Sequence, residues 1–199
     1  MSIIIYHMND HSISVDQARH ATSIVDKYLD TATVKKSTKF YETTLTSDMI
    51  FTKADEYTTD VQLERFTRGL NINYRDCIGT LIYLSSKRVY LSFTVHKLAK
   101  FSSNQGKVYF EGLVHLLRYI RDNKDLVLKY YDDMKYAPLY YLLRQANIKT
   151  ENQFIVFSDS SCKHFTDTGR STGSYIIFYQ GRPIDHGTHV TGPVTQSNA

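Results

Sequence analysis

The residues best suited to chemistry are carboxylates and imidazoles in a few small groups. Tyr130-Tyr131-Asp132-Asp133, inside "LVLKYYDDMKYAP", spells Y-x-D-D. Neighbouring aspartates at a tight hairpin can hold divalent ions for phosphoryl transfer, provided that a further carboxylate completes the clamp. Here Lys135 stands where a return strand should begin, Pro138 would remove a ladder donor soon after, and no third acid precedes in a strand–turn context. The spacing favours a solvated acidic turn. Asp159 closes the apolar run "QFIVFSD", where it would project from a strand end into a cleft; without further context it reads as a turn residue. His186 and His189 form H-x-x-H in a glycine-containing strand or loop, and Cys162 and His164 lack a second pair to finish a tetrahedral site. "DTGRSTGSY" has neither the lysine nor the spacing of a phosphate loop and reads as a turn. His96 and His115 fall within helical patterns and are expected in packing or at the surface.

The elements that must position these groups change character along the chain. "IIIY" predicts a short strand and "HMNDHS" a turn. A helix is expected next, with Ser14 as N-cap, Gln17 completing a capping box, and Val15, Ala18, Thr22, Val25 and Leu29 on the buried face. Residues 30–70 have weak periodicity and read as an extended connection. Three helical patterns follow. "NYRDCIGTLIYLSS" turns Cys77, Ile78, Leu81, Ile82 and Leu84 to one side, "LSFTVHKLAKFSS" turns Phe93, Val95, Leu98 and Phe101, and "KVYFEGLVHLLRYIRDN" turns Phe110, Leu113, Val114, Leu117 and Ile120. The period then becomes strand-like in "LVLKYY", "QFIVFSD" and "SYIIFYQ", with Gln180-Gly181 as a hairpin turn into "RPIDHGTHV". The fold class expected is α+β, helices first and an antiparallel sheet in the last third, with a boundary near 148–152.

Composition narrows the function classes. The 199 residues are 42% hydrophobic and 22% charged, a balance suited to a packed core. No apolar run reaches membrane-spanning length, and "MSIIIYHMNDH" lacks the features of a secretory leader. Cys77 and Cys162 are far apart, which fits a reducing compartment, so an intracellular location (cytoplasm or nucleus) is expected. Charge is unevenly spread. Residues 87–124 hold Lys87, Arg88, Lys97, Lys100, Lys107, Arg118, Arg121 and Lys124 against Glu111 and Asp122, a net +6 inside a chain of net +4. Such a stretch can face phosphates; the alternative is a pair of solvated helix faces.

Much of the chain resembles copia-type LTR retrotransposon Pol polyproteins. The segment from Tyr74 to Tyr131 is similar to the family's Y-R-x-x-(I/V)-G-x-L-x-Y-L, R-P-D-I-S-F-A-V, N-P turn, L-R-Y-L-K-x-T and G-L-x-Y. Tyr74, Arg75, Gly79, Leu81, Tyr83, Leu84, Arg88, Ser92, Phe93, Val95, Asn104, Leu117, Arg118, Tyr119 and Tyr130 fall on those positions. "ISVDQARHATSIVDKYL" resembles the segment after the primer grip, and "FSDSSCKHFTDTGRSTGSY" the opening of the family's RNase H domain. Residues 30–70 match least.

The resemblance implies three regions: 1–70, the end of the reverse-transcriptase region with a linker; 71–150, connection helices; and 151–199, an incomplete RNase H-like antiparallel sheet. It implies that Asp159 is the first RNase H carboxylate and a Mg2+ ligand. The family's later acids are expected beyond "VTQSNA", so this chain alone is expected to bind no Mg2+ and to be catalytically inactive. The family's own Y-x-D-D precedes the segment matched at Ile13, which makes Tyr130–Asp133 a decoy. Three departures mark a fragmentary or decayed copy: Tyr90 where the family has a capping aspartate, Asn104-Gln105 for the N-P turn, and Cys162 for a tryptophan. The partner implied is an RNA–DNA or DNA duplex, met by Lys87, Arg88, Lys97, Lys100, Lys107, Arg118 and Arg121 on phosphates. No membrane and no small-molecule substrate are implied. The alternative is an inert or host-encoded remnant.

Overall fold

A computed structural model of the chain describes residues 3–29, 39–49, 51–52, 61, 64, 72–131, 133, 135, 137–148, 154–161, 170–179 and 182–193. In chain order these form β1 (Ile4–His7), β2 (Ile13–Asp16), α1 (Ala18–Leu29), α2 (Tyr74–Ser85), α3 (Val89–Ala99), α4 (Lys107–Asp122), β3 (Leu128–Tyr130), α5 (Pro138–Gln145), β4 (Phe154–Ser161), β5 (Arg170–Tyr179) and β6 (Arg182–Pro193). The fold is α+β, with two three-stranded sheets among the described residues, β1-β2-β3 and β4-β5-β6. Two compact units divide the chain, one made of 1–4 with 16–128, the other of 5–15 with 129–199.

The first unit is a helical bundle. The Asn73 side chain accepts from the Asp76 amide at 3.1 Å and starts α2, and Asp76 in the first turn suits the positive helix end. Asp76 also accepts from Lys27 and from the Tyr28 hydroxyl, both at 2.6 Å, tying α2 to α1. The core gathers Ala21, Ile24 and Tyr28 from α1, Cys77, Leu81 and Leu84 from α2, Leu91, Val95 and Leu98 from α3, and Phe110, Leu113 and Leu117 from α4. Tyr74 is buried and donates to the Leu98 carbonyl at 2.9 Å, so its hydroxyl enters the core with a partner.

The structure departs from the sequence pattern at several positions. Ser14 caps no helix: it lies in β2, while Asp16 accepts from the Ala18 amide at 2.6 Å and the Gln17 carbonyl from the Ala21 amide at 2.9 Å. The buried face of α1 is His20, Ala21, Ile24, Tyr28 and Leu29, rotated from the apolar-letter pattern because Tyr28 can enter the core while its hydroxyl reaches Asp76. Ile82 and Phe93 are exposed, since α2 and α3 fill their buried faces with Leu81, Leu84, Leu91, Val95 and Leu98. Tyr90 is not at the α3 N-cap; Arg88 is, without a side-chain cap, and the Ser92 hydroxyl sits by His96 Nδ1 at 3.3 Å instead of capping.

Part of the 30–70 connection falls outside the described residues, but 39–49 and 51–52 include a packed strap. The Tyr41 amide donates to Asp122 at 2.9 Å, Thr94 to Thr44 at 2.8 Å, and the buried His115 Nε2 to the Thr43 carbonyl at 2.9 Å. Phe51 enters the core against Phe101 and Tyr109, and the Tyr109 hydroxyl donates to the Thr52 carbonyl.

In the second unit, β4 pairs antiparallel with β5, and β5 with β6. Tyr179 pairs with Arg182; the expected turn residues Gln180 and Gly181 lie outside the described residues. Gly173 opposes His189 and Gly187 opposes Tyr175, and in each pair a Cβ on the glycine would stand 2.7 Å from the partner's ring. The turn expected for "DTGRSTGSY" is strand from Arg170 onward, while Asp167–Gly169 lie outside the described residues. α5 was not anticipated. Its signal was Pro138, which removes a ladder donor but is favoured in the first turn of a helix, with Leu139, Leu142 and Leu143 following.

Candidate nucleic-acid interface

Asp159 stands on β4 opposite Ser174, which in turn faces Thr188 on β6. The carboxylate is exposed, and its cross-strand row offers hydroxyls. Among the described residues no three His, Cys, Asp or Glu side chains converge on a site for a metal ion. A pair of Mg2+ ions needs several carboxylate oxygens, so the described surroundings of Asp159 do not fit one.

The remaining metal candidates separate in the same way. Asp133 accepts from the Lys135 amide at 2.9 Å and pairs with its ammonium at 2.8 Å, forming a turn ahead of α5; Asp132 lies outside the described residues. His186 and His189 lie three apart along β6, which puts their rings on opposite faces of the strand. Cys162 and His164 lie outside the described residues. His96 Nδ1 donates to the Ser92 carbonyl at 2.8 Å within its own helix.

The basic run is sorted by the fold. Arg88 is 4% exposed, and its guanidinium donates to the Asn123 carbonyl at 3.0 Å, to the Lys124 carbonyl, and to the Tyr90 hydroxyl at 3.1 Å. It closes the C-terminal end of α4 and does not face outward. Arg118 donates to the Tyr41 hydroxyl at 3.0 Å with its guanidinium over the Tyr41 ring. Arg121 is engaged by Asp122 at 2.7 Å, and Lys107 stands 3.6 Å from Glu111 one turn on.

Lys87, Lys97 and Lys100 lie on α3 or directly beside it. Lys87 is exposed ahead of α3. Lys97 is half-buried, its ammonium 5.1 Å from the Phe51 ring centroid and 5.9 Å from that of Phe93. Burial lowers its proton affinity, and Lys100, one turn on, is pushed down to about 8 by burial and by the Lys97 charge. Residues 77–110 contain no Asp or Glu, so this segment adds only positive charge around α3. An incoming phosphate would stabilise both ammonium groups.

The chain matches no protein-family model, no curated protein and no solved structure with which it was compared. No helix among the described residues is long and apolar enough to cross a membrane.

Proposed function

We propose that this chain is a non-catalytic, nucleic-acid-binding segment of a copia-type retrotransposon reverse transcriptase/RNase H polyprotein. In this reading α2, α3 and α4 are connection helices and β4-β5-β6 is the opening of an RNase H-like sheet. The partner is an RNA–DNA or DNA duplex inside the cell, in cytoplasm or nucleus, held through phosphates and therefore without base readout. The order of the Pol-like motifs along the sequence supports the family. The observation that carries the binding reading is the Lys97–Lys100 pair, two partly desolvated cations on an acid-free stretch. Asp159 would belong to a Mg2+ site only with carboxylates from elsewhere.

Fluorescence anisotropy of a labelled RNA–DNA hybrid at low salt tests the proposal. Binding by the wild type, lost when Lys97→Glu and Lys100→Glu are combined, is the expected result. The pair is chosen over Arg118 because Arg118 is committed to Tyr41. No binding by the wild type would leave the inert-remnant reading. Magnesium-dependent cleavage of the hybrid that disappears in Asp159→Asn would overturn the non-catalytic part.

A further inference from the structure

Phe93 carries two observations that phosphate contact does not use. By its apolar character it belongs on the buried face of α3, yet it is 49% exposed, while Leu91, Val95 and Leu98 fill the core. Lys97, one turn later, keeps its ammonium 5.9 Å from the Phe93 ring centroid. Tyr90, one turn earlier, is 41% exposed, and its ring is held edge-on to Tyr119 while its hydroxyl accepts from Arg88. At 100° per residue, positions 90, 93, 97 and 100 fall within an arc of about 80° on one helix face. Lys100 keeps right-handed helical geometry at φ −59°, ψ −29°, so the face continues to it. Two aromatics followed by two cations thus run about 15 Å along one side of the helix.

We infer that the Tyr90–Phe93–Lys97–Lys100 face of α3 binds single-stranded nucleic acid, with an unpaired base stacked on Phe93 and backbone phosphates on the two lysines. The inference rests on the nucleic-acid reading of this surface and specifies the strand state. A single exposed aromatic is ordinary; an exposed ring bracketed by a second aromatic and by cations is the combination that nonspecific single-strand binders use. A duplex offers its phosphates but keeps its base faces stacked on one another, so it can satisfy Lys97 and Lys100 while leaving Phe93 in water. An acidic peptide would neutralise the lysines and also leave the ring uncovered. An unpaired strand can occupy both halves of the face.

The sequence contains no tryptophan, so Phe93→Trp places a single emitting indole at the predicted stacking position. The full chain carrying this change is titrated with an oligothymidylate, a blunt DNA duplex and polyglutamate at matched salt. The inference expects quenching by the oligothymidylate and at least tenfold tighter binding of it than of the duplex. In the otherwise wild-type chain, Phe93→Ala should weaken oligothymidylate binding about tenfold and duplex binding less than twofold. A cooperative melt matching the wild type is the control for folding, and the exposure of Phe93 makes that the expected control. Equal affinity for both nucleic acids with no effect of Phe93→Ala would overturn the single-strand inference and leave the proposed function standing. Polyglutamate binding as tightly as the oligothymidylate would overturn it too. Failure of both nucleic acids to bind at low salt would overturn the inference and the proposed function together.

Discussion

The Arg88 guanidinium donates to the carbonyl oxygen of Asn123 at 3.0 Å, joining the N-cap position of α3 to the residue that ends α4. A helix C-terminus presents unsatisfied carbonyls with partial negative charge, and a buried cation there satisfies both needs. The most deeply buried cation of the basic run is therefore a structural one. Arg88→Ala is expected to lower stability by about 2–3 kcal/mol, because charge-assisted hydrogen bonds made by a buried guanidinium are lost. It should change hybrid affinity less than about twofold below the melting transition, an outcome of phosphate contacts lying elsewhere. Urea unfolding and anisotropy on the same variant check the two halves. A large loss of affinity in a stably folded Arg88 variant would return this residue to the binding surface.

Two helix glycines should respond oppositely to alanine. At Gly79 on α2 a Cβ meets nothing within 4 Å, so Gly79→Ala is expected to stabilise by about 0.5–1 kcal/mol through helix propensity. At Gly112 on α4 a Cβ would lie 2.6 Å from Phe51 Cζ and 3.3 Å from Leu98 Cδ2. Phe51 is wedged against Phe101 and Tyr109 and has little freedom to retreat. Gly112→Ala is expected to destabilise by about 1–2 kcal/mol despite the same propensity gain. Thermal melts of both variants decide, and stabilisation at Gly112 would mean that the strap around Phe51 is loosely held.

His20 gives a pH dependence with a definite sign. It is buried, its ring stands edge-on to Tyr83 at 5.3 Å, and its Nε2 has no hydrogen-bond partner among the described residues. Burial lowers its proton affinity, and the nearby Arg88 charge acts in the same direction. The unfolded chain, with an ordinary histidine near pKa 6.5, then takes up the proton more readily than the folded one. The contribution of neutral His20 is present above about pH 6.5 and is lost as pH falls below it toward the lowered folded value. His20→Phe should flatten stability between pH 7 and pH 5 relative to wild type in urea unfolding. An unchanged slope would show that His20 is not the group responsible.

The same chemistry applied to Lys100 yields a binding test. With its free-state value near 8, Lys100 loses its proton over a range in which an ordinary lysine stays charged. A bound phosphate favours the ammonium, so affinity should be highest below about pH 8 and fall as pH rises toward 9. Lys100→Arg, whose guanidinium stays charged, should abolish that fall. Anisotropy at constant ionic strength measures it. A wild-type affinity independent of pH from 7 to 9 would contradict the role given to Lys100.

Local pattern made much of this fold legible and left the burial of particular residues open. α2, α3 and α4 were readable because each carries apolar residues at helical spacing, and β4 to β6 because "QFIVFSD", "SYIIFYQ" and "RPIDHGTHV" change to strand-like residues between polar loops. The strap at Tyr41–Thr52 was not, because Tyr41, Thr43 and Thr44 are placed by partners on α3 and α4 that lie far away in sequence. The burial of Arg88 and the exposure of Phe93 were hidden for one reason. Residue type counts every arginine as surface and every phenylalanine as core, whereas the carbonyls ending α4 draw one inward and the leucines of α3 displace the other. The candidate interface was consequently visible as a charge excess and not as a set of side chains.

The most direct test of nucleic-acid binding through α3 is the salt dependence of hybrid affinity, wild type against the Lys97→Glu, Lys100→Glu pair. With Lys87, Lys97 and Lys100 on phosphates, log Kobs should fall linearly with log salt with a slope of about −2 to −3, and the double variant should lose most of that slope and its affinity. Identical slopes in the two proteins, or no binding by the wild type at low salt, would contradict the account.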